Sequence, residues 1–342
     1  MVISTLHTLF LPPPTTSTMS PKLIAIPGGT GTIGQSIVSA LQSHPEYKPI
    51  ILSRATSSHP DGTTSSTTIR NSTTPIETRY VNYASTGSLT TALHGVNTVI
   101  SALLIPGPES VPYHLNLLQA SITARVHRFA PSEWALPQDT HDQVDLDQGK
   151  SVIWTEVQKE VAEGKIDAAA FPVGMFMNYL AIGIRDREVE EEALAGFGEG
   201  ELMFHLRDEP AWVEVPVMQD GRYPDLTMTD IRDVGRFVVA ALGLEEWGGR
   251  ELGIAGDTRN LKEIVDILRR VIGRANVKEV SRAELQRKLD GLDQSEFLKR
   301  MDLQYTMLCG NGGSVVKGTL NELCPEVKPT TIREFMEKYW GD

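Results

Sequence analysis

A cluster of closely spaced glycines near the start of the chain limits the possible folds more than any other feature. Four glycines fall within the segment GGTGTIG, residues 28–34, which directly follows the apolar run KLIAIP. Residues 33–42 then carry apolar side chains at helical spacing. Glycine permits the tight turn that joins a buried strand to a helix packed on the same sheet. The sequence therefore predicts a strand–loop–helix unit at the start of the fold.

This alternation of strands and helices continues for about 150 residues. Further strands are predicted at 49–54 (PIILSR), 77–83 (ETRYVNY), 97–105 (NTVISALLI), 127–132 (HRFAPS) and 166–174 (IDAAAFPVG), and helices at 110–125 and 149–163. Such alternation is typical of right-handed βαβ units and a parallel sheet. We therefore expect an α/β fold in which residues 22–175 form a doubly wound parallel sheet.

The pattern changes after residue 175, where the alternation weakens. Helices are predicted at 230–243, 259–273, 281–290 and 331–339, with strand-like pieces between them. We expect residues 176–342 to form a smaller mixed α/β C-terminal substrate lobe, with some segments packing back on the sheet. Residues 55–74 hold 12 serines and threonines in 20 positions, which predicts a flexible surface loop. Residues 1–21 contain no lysine or arginine and are expected to be a disordered N-terminal extension.

The charge and the cysteines exclude several classes of protein. Lysine and arginine number 32 against 44 aspartates and glutamates, a net charge of −12, which repels nucleic acids and anionic membranes. The sequence has no run of 18 apolar residues, so no membrane span is predicted. Cys309 and Cys324 have no CxxC spacing and no histidine cluster beside them, so no metal site is expected. Two free thiols favour a reducing, cytoplasmic location.

The glycine loop predicts a dinucleotide site. Its spacing satisfies G-x-G-x-x-G in the strand–loop–helix context that this motif requires. The backbone N–H groups of the loop and the helix start can then approach a pyrophosphate, as in a Rossmann fold. The end of the fourth strand would line the adenosine side. The candidate cofactor-binding residues in these two segments are Gly28, Thr30, Gly31, Thr32, Ile33, Gly34, Ser101 and Ala102.

The end of the second strand predicts which dinucleotide binds. An NAD site usually places Asp or Glu there to hold the ribose 2′-hydroxyl. Here the strand ends in Ser53 and Arg54, and no acidic residue lies between Glu46 and Asp61. A guanidinium favours a 2′-phosphate. The expected cofactor is NADPH, although a solvated arginine after a strand remains the alternative for Arg54.

Further motifs follow the glycine loop and Arg54 along the chain. They are RFAPSEW at 128–134, FPVGMFMNYL at 171–180 and TMTDIRDVGRFVVAAL at 227–242. None of the eight tyrosines has a lysine four residues later, which excludes the standard short-chain dehydrogenase mechanism. Together these motifs resemble the NmrA-like and isoflavone-reductase-like proteins, which are atypical short-chain dehydrogenases, and the resemblance covers about residues 22–340.

The resemblance implies a catalytic lysine on the helix that follows the PSE motif, residues 131–133, and Lys150 matches this lysine by position. Lys150 also heads an apolar stripe that continues through Trp154 and Val157. We expect an ammonium there to be partly desolvated, with a lowered pKa, and to act as proton donor or base. The alternatives are a lysine that extends to water and the weaker catalytic candidates Lys159 and Lys165.

The resemblance also places further residues beside the nicotinamide and the substrate. Ser132, Gly174, Met175 and Phe176 are the implied cofactor residues. Trp134 and Tyr179 are candidates for lining the substrate. Simple core packing is the alternative for Met175 and Phe176. Glu133 follows Ser132 at the carboxyl end of the sheet, where ligands bind, and its alternative is a structural role as a cap or a partner of a buried base.

The expected function is therefore that of an NADPH-dependent oxidoreductase. A hydride would pass to a small-molecule substrate, an aromatic or a carbonyl or enone compound, with Lys150 balancing the proton. The alternative is a non-catalytic, NmrA-type regulator that binds NAD(P) and acts through a protein partner. A sugar-nucleotide epimerase is disfavoured because the Tyr–Lys pair of that class is absent.

Overall fold

The computed structural model describes residues 20–341, apart from 71, 106, 108, 199–201 and 274. The predicted N-terminal extension, residues 1–21, therefore lies outside the described residues except for its last two. The first part of the chain contains β1 (Lys22–Pro27), α1 (Thr32–Gln42), β2 (Tyr47–Arg54), β3 (Thr64–Thr67), β4 (Ile76–Val81), α2 (Thr86–Ala92), β5 (Thr98–Ile100), α3 (Ser110–Thr123), β6 (Arg128–Ala130), α4 (Lys150–Ala162) and β7 (Asp167–Ala170).

The second part of the chain mixes short strands with helices. Its elements are β8 (Met175–Phe176), α5 (Arg187–Leu194), β9 (Phe204–His205), β10 (Trp212–Pro216), β11 (Asp225–Thr229), α6 (Ile231–Leu242), β12 (Arg250–Glu251), β13 (Asp257–Asn260), α7 (Leu261–Ile272), β14 (Asn276–Val280), α8 (Arg282–Asp290), α9 (Phe297–Gly310), α10 (Thr319–Leu323) and α11 (Ile332–Trp340). Two 3-10 helices, Gln138–Gln143 and Met177–Ala181, also occur.

The expected parallel sheet is confirmed. In the described part of the chain it has the order β12-β7-β6-β5-β1-β2-β4-β3, and all pairs except β3–β4 are parallel. Its central strands are buried on both faces, which requires the nearly continuous apolar runs seen in the sequence. Strands β2, β4 and β3 lie on one side of β1, whereas β5, β6, β7 and β12 lie on the other side. The order in which strands are added to the sheet therefore reverses between β1 and β5. Ligands of open α/β sheets bind at this switch point, outside the carboxyl ends of the strands.

The prediction of a flexible loop over residues 55–74 was wrong at its centre. Residues 64–67 form β3, which pairs antiparallel with β4 at the edge of the sheet. The Thr78 hydroxyl donates to the Thr67 hydroxyl across this pair at 2.7 Å. Serine and threonine are common in loops, but threonine is also β-branched and suits a half-exposed edge strand.

The second part of the chain returns to the sheet at several points. Strand β12 pairs with β7, and α6 packs along α1. Gly235 permits this close approach because a Cβ there would collide with the carbonyl oxygen of Ser36. The buried Arg128 guanidinium donates to the carbonyl oxygens of Leu242, the last residue of α6, and of Leu244 and Glu245, which follow it. The boundary at residue 175 between a nucleotide domain and a substrate lobe remains a prediction.

Candidate active site

The glycine loop joins β1 to α1, and two of its glycines are required by packing. Gly28 has φ +77°, and a Cβ there would lie 2.5 Å from the carbonyl oxygen of Ala102. A Cβ on Gly34 would collide with the carbonyl oxygen of Gly28. These two glycines therefore let the loop, the start of α1 and the end of β5 lie against one another.

Gly31 is packed less tightly than the other glycines of the loop. A Cβ on Gly31 would meet one atom, the carbonyl oxygen of Gly28 at 3.3 Å, and this tight contact would need a shift of a few tenths of an ångström. Gly31 is the N-cap of α1 and has no side chain to cap the helix, so the first N–H groups of α1 have no partner within it. An open cradle edged by backbone donors fits a pyrophosphate.

The Thr32 side chain faces a segment from the second part of the chain. Its hydroxyl donates to the carbonyl oxygen of Gly196 at 2.9 Å. The next residue along, Phe197, packs its ring against Phe176 and Tyr179, with centroids 4.7 and 5.0 Å apart. This segment therefore passes from the start of α1 to the aromatic residues that the sequence assigned to the nicotinamide and substrate.

Arg54 and Ser53 end β2 next to the glycine loop. The register pairs Pro27 of β1 with Leu52 of β2, so Arg54 lies two residues beyond, on the same edge of the sheet. Arg54 is exposed, and Ser53 is partly buried. The nearest acidic residue along the chain, Asp61, accepts a hydrogen bond from the Ser88 hydroxyl. Arg54 therefore lies at the end of the second strand, as the sequence indicated, and its contact with a 2′-phosphate remains a prediction.

A cavity of about 490 Å³ opens at the carboxyl edge of the sheet, beneath α9. It brings together many of the predicted site residues and leaves others outside. The predicted residues that line it are Ile33, Ala102, Ser132, Trp134, Lys150, Gly174, Met175, Phe176 and Tyr179. The predicted residues outside its walls are Gly28, Thr30, Gly31, Thr32, Gly34, Ser53, Arg54 and Ser101, which belong to the glycine loop and the strand ends nearby.

Lys150 is the first residue of α4, and its side chain is 20% exposed at the cavity wall. Gly149 allows α4 to begin close to α3, since a Cβ there would lie 2.8 Å from the Val111 side chain. The expectation of a lowered pKa was wrong. Burial by itself disfavours the ammonium, but the Asp147 and Glu133 carboxylates outweigh burial and raise the pKa of Lys150.

The sequence analysis missed Asp147 and Tyr305, the residues that surround the Lys150 amine. Asp147 Oδ1 lies 2.7 Å from Lys150 Nζ, and Asp147 Oδ2 accepts the Tyr305 hydroxyl at 2.9 Å. Asp147 is buried, and Tyr305 comes from α9, more than 150 residues away along the chain. Asp147 precedes Lys150 by three residues in a polar loop, and this proximity was the only signal in the sequence.

Glu133 and His141 form a second buried polar pair beside Lys150. The Glu133 carboxylate lies 3.6 Å from His141 Nε2, and neither of its oxygens has a well-formed hydrogen bond to the described residues. Burial raises the pKa of Glu133 to about 7. Burial and the Lys150 charge lower the pKa of His141. Both shifts oppose ionisation, so near pH 7 the His141 ring is neutral and the Glu133 carboxyl is only partly ionised.

Three further candidates at the cavity, Trp134, Gly174 and Tyr179, are packed in the fold and also line the cavity. Trp134 is 4% exposed, stacks on Phe171 at 5.6 Å and donates its indole N–H to the carbonyl oxygen of Ser101 at 2.7 Å. Gly174 has φ +75°, and a Cβ there would also collide with the Thr227 carbonyl oxygen at 2.5 Å, so both the backbone conformation and the packing favour glycine. Burial raises the pKa of Tyr179 to about 12, so its hydroxyl stays protonated. The substrate-contacting roles of Trp134 and Tyr179 remain predictions.

The alternative lysines lie elsewhere. Lys159 Nζ pairs with Glu156 at 2.6 Å on the exposed face of α4. Lys165 Nζ pairs with Glu160 and Glu163. Neither lines the cavity.

No group of three or more His, Cys, Asp or Glu side chains in the described ranges is arranged to hold a metal ion. None of the helices in these ranges combines the length and the apolar character that a membrane span requires.

Comparisons with known proteins agree with this geometry. A curated relative is Oxidoreductase BOA1 of Botryotinia fuckeliana (strain B05.10), which is 27% identical over 340 residues and is matched over 92% of this chain and 99% of its own. A crystal structure of isoflavone reductase superposes with a TM-score of 0.66 at 18% identity, covering 93% of this chain and 99% of that one.

A further structure with the same fold is the binary complex of leucoanthocyanidin reductase and NADPH from Vitis vinifera. It superposes with a TM-score of 0.63 at 16% identity and covers 94% of this chain and all of that one. The sequence model of the NmrA-like family matches residues 20–336. With a Rossmann sheet, a glycine loop at its switch point and a family match over nearly its whole length, the chain belongs to the NmrA-like family.

Proposed function

We propose that this protein is an NADPH-dependent reductase that acts on an uncharged carbonyl or conjugated enone compound, including aromatic ones. The observation that carries the proposal is the cavity at the switch point of the sheet, where Lys150 lies beside the residues assigned to the nicotinamide. The 27% identity to an oxidoreductase over nearly the whole chain supports the class of reaction.

The residues present fit NADPH. The Gly31 cradle and the uncapped start of α1 would hold the pyrophosphate, and Arg54 would hold the 2′-phosphate. Met175 and Phe176, at the cavity wall after β7, would border the nicotinamide. The NADPH complex of a structure with the same fold supports this choice of nucleotide.

The cavity wall favours an apolar, uncharged substrate. Apolar side chains such as Leu136, Ile153 and Met301 form most of the wall. Its charged groups pair with neighbours: Lys150 with Asp147, and Asp145 with Arg300. A substrate carboxylate would meet the buried Glu133. A cavity of about 490 Å³ accommodates a small organic molecule.

Lys150 would balance the charge of the reduction. When bound, NADPH supplies two electrons and a hydrogen nucleus to an electrophilic carbon. Negative charge then develops on the substrate oxygen, which the Lys150 ammonium stabilises and finally protonates. The products are the reduced substrate and NADP⁺, and Lys150 regains its proton from water. The surrounding aromatic and aliphatic side chains exclude bulk water from the reacting atoms.

Deuteride transfer tests this proposal. The full-length protein is incubated with NADPH deuterated at the transferable position and with a panel of uncharged aldehydes, ketones, quinones and enones. We expect deuterium on the product carbon of at least one compound, detected by mass spectrometry. Tight NADPH binding without transfer to any compound would contradict the proposal and favour a nucleotide-sensing regulator with a protein partner.

A further inference from the structure

Helix α9 is attached to the loop before Lys150 by three polar contacts. Arg300 Nε donates to Asp145 Oδ2 at 2.9 Å, and the Asp145 backbone N–H donates to Gln304 Oε1 at 3.0 Å. The Tyr305 hydroxyl donates to Asp147 Oδ2 at 2.9 Å. The contacts are spread over six residues of one helix, from Arg300 to Tyr305, so they fix the loop rather than a single side chain.

The Asp147 carboxylate joins this attachment to the Lys150 amine. One of its oxygens receives the Tyr305 hydroxyl, and the other lies 2.7 Å from Lys150 Nζ. The Asp147 side chain is 1% exposed, so water cannot replace either partner freely. The Tyr305 hydrogen bond orients the buried carboxylate through Oδ2, and the ion pair at Oδ1, which has no well-formed hydrogen bond among the described residues, keeps the ammonium beside it.

We propose that Asp147 and Tyr305 are positioning residues that hold Lys150 as a charged ammonium aimed into the cavity. Lys150 would then stabilise and protonate a substrate oxygen, and it would not act as a base. This inference rests on the proposed reductase function for its catalytic meaning. The arrangement itself is a property of the chain and can be measured without a substrate.

Among the other titratable groups around Lys150, Glu133 adds a second negative charge. Burial raises its pKa to about 7, so it is ionised over most of the range in which a lysine titrates, and it contributes less than Asp147 to the raised pKa of Lys150. His114 on α3 and His141 on the 3-10 helix both have lowered pKa values, with burial as the larger cause and the Lys150 charge as another. They are neutral near pH 7. Asp147 is thus the closest anion, and Lys150 should lose its charge more easily without it.

Competitive amine labelling tests the pair. The full-length protein without nucleotide is treated with trace acetic anhydride from pH 7 to 12, and acetylation of Lys150 is followed by peptide mass spectrometry. Asp147→Asn keeps the shape and an acceptor for Tyr305 but removes the charge. We expect its labelling midpoint to fall by about one to three pH units, the usual effect of an adjacent opposite charge. Asp147→Glu should restore most of the shift.

Two further variants separate charge from general disturbance. Asp142→Asn removes an exposed carboxylate from the neighbouring 3-10 helix, outside the cavity, and its amide oxygen can still accept the Ser151 hydroxyl, so the midpoint should stay unchanged. Tyr305→Phe keeps the Asp147 charge, so its midpoint should stay at or above the wild-type value. An unchanged midpoint in Asp147→Asn, or an equal fall in all variants, overturns the inference. These outcomes do not depend on turnover, so failure of the reductase proposal would be recognised separately by deuteride transfer.

Discussion

At the scale of single residues, Gly31 and Gly34 have different reasons to be glycine. The proposed pyrophosphate would occupy the space beside Gly31, whereas packing within the protein requires glycine at position 34. Both belong to the G-x-G-x-x-G pattern, so the sequence alone treats them alike. A Cβ at Gly31 would need only a small shift of the Gly28 carbonyl oxygen, 3.3 Å away, whereas a Cβ at Gly34 would collide with the backbone of Gly28 and Gly29. The two positions differ in how far an added Cβ would lie from the Gly28 carbonyl oxygen. The spacing of glycines in a sequence motif does not give that distance.

Gly31→Val should abolish tight NADPH binding and leave the protein folded. The valine side chain would occupy the cradle without entering the core, and its extended backbone conformation, φ −77° and ψ 171°, suits a β-branched residue. We expect NADPH affinity to fall at least about tenfold, or about 1.4 kcal/mol. Titration calorimetry and thermal unfolding measure the two effects.

The matched variant at the neighbouring glycine is Gly34→Ala. Its Cβ would collide with the Gly28 carbonyl, so a lower unfolding temperature is expected there but not in Gly31→Val. If Gly31→Val binds NADPH with unchanged affinity, the assignment of the pyrophosphate to this loop is incorrect.

Arg54→Asp should reverse the preference between NADPH and NADH. The substitution removes the cation at the end of β2 and places there the acid that typically holds a ribose 2′-hydroxyl. Because Arg54 is exposed, stability should change little. Dissociation constants for both nucleotides supply an internal control. A wild-type protein that binds both equally would refute the role of Arg54.

Lys150 shows how far sequence reasoning reaches at this scale. Its place on the helix after the PSE motif could be predicted, since the structure begins α4 at this residue. The direction of its pKa shift could not, because it depends on Asp147 and on Tyr305, a residue from α9. The spacing of apolar residues in a segment indicates which face of a helix is buried. It does not indicate which side chain from a distant segment contacts that face.

At the scale of elements, periodic segments were predictable and polar or short ones were not. Helices α6, α7, α8 and α11 lie within about two residues of their predicted bounds because their apolar stripes are regular. Helix α9 was missed, although it covers the cavity. Its apolar residues are divided among the cavity, the core and solvent, so no single stripe marks it.

The contact between α1 and α6 offers a test at this scale. In Gly235→Ala the added methyl would collide with the Ser36 carbonyl and lie 3.0 Å from the Ala40 side chain. We expect the free energy of unfolding to fall by about 1–3 kcal/mol, the usual cost of overpacking. Urea unfolding measures it.

Gly87→Ala is the matched control, because Gly87 is also helical and its nearest neighbour would be the Ser85 hydroxyl at 3.8 Å. Alanine should stabilise α2 by about 0.5–1 kcal/mol through its higher helix propensity. Equal effects of the two substitutions would show that Gly235 is not chosen for the close approach of the helices.

At the scale of the whole molecule, the candidate site exists because the two parts of the chain meet at the carboxyl edge of the sheet. The first part supplies the glycine loop, Arg54 and Lys150, and the second supplies α9 and the segment that holds Phe197. The α/β class and the parallel sheet followed from the alternation of strands and helices. The closure of the cavity by α9 depends on packing between distant segments, which a single sequence does not display.

The most direct test of the central claim is a paired measurement on Lys150→Met, with Lys159→Met as the control on the same helix. Methionine retains the apolar stem of the lysine, so the NADPH dissociation constant should stay near the wild-type value. The rate of NADPH oxidation should fall by about 10² to 10⁴, the usual contribution of a positioned acid. Lys159→Met should retain the full rate, since Lys159 is exposed and outside the cavity. A Lys150→Met protein that binds NADPH and oxidises it as fast as the wild type would contradict the account.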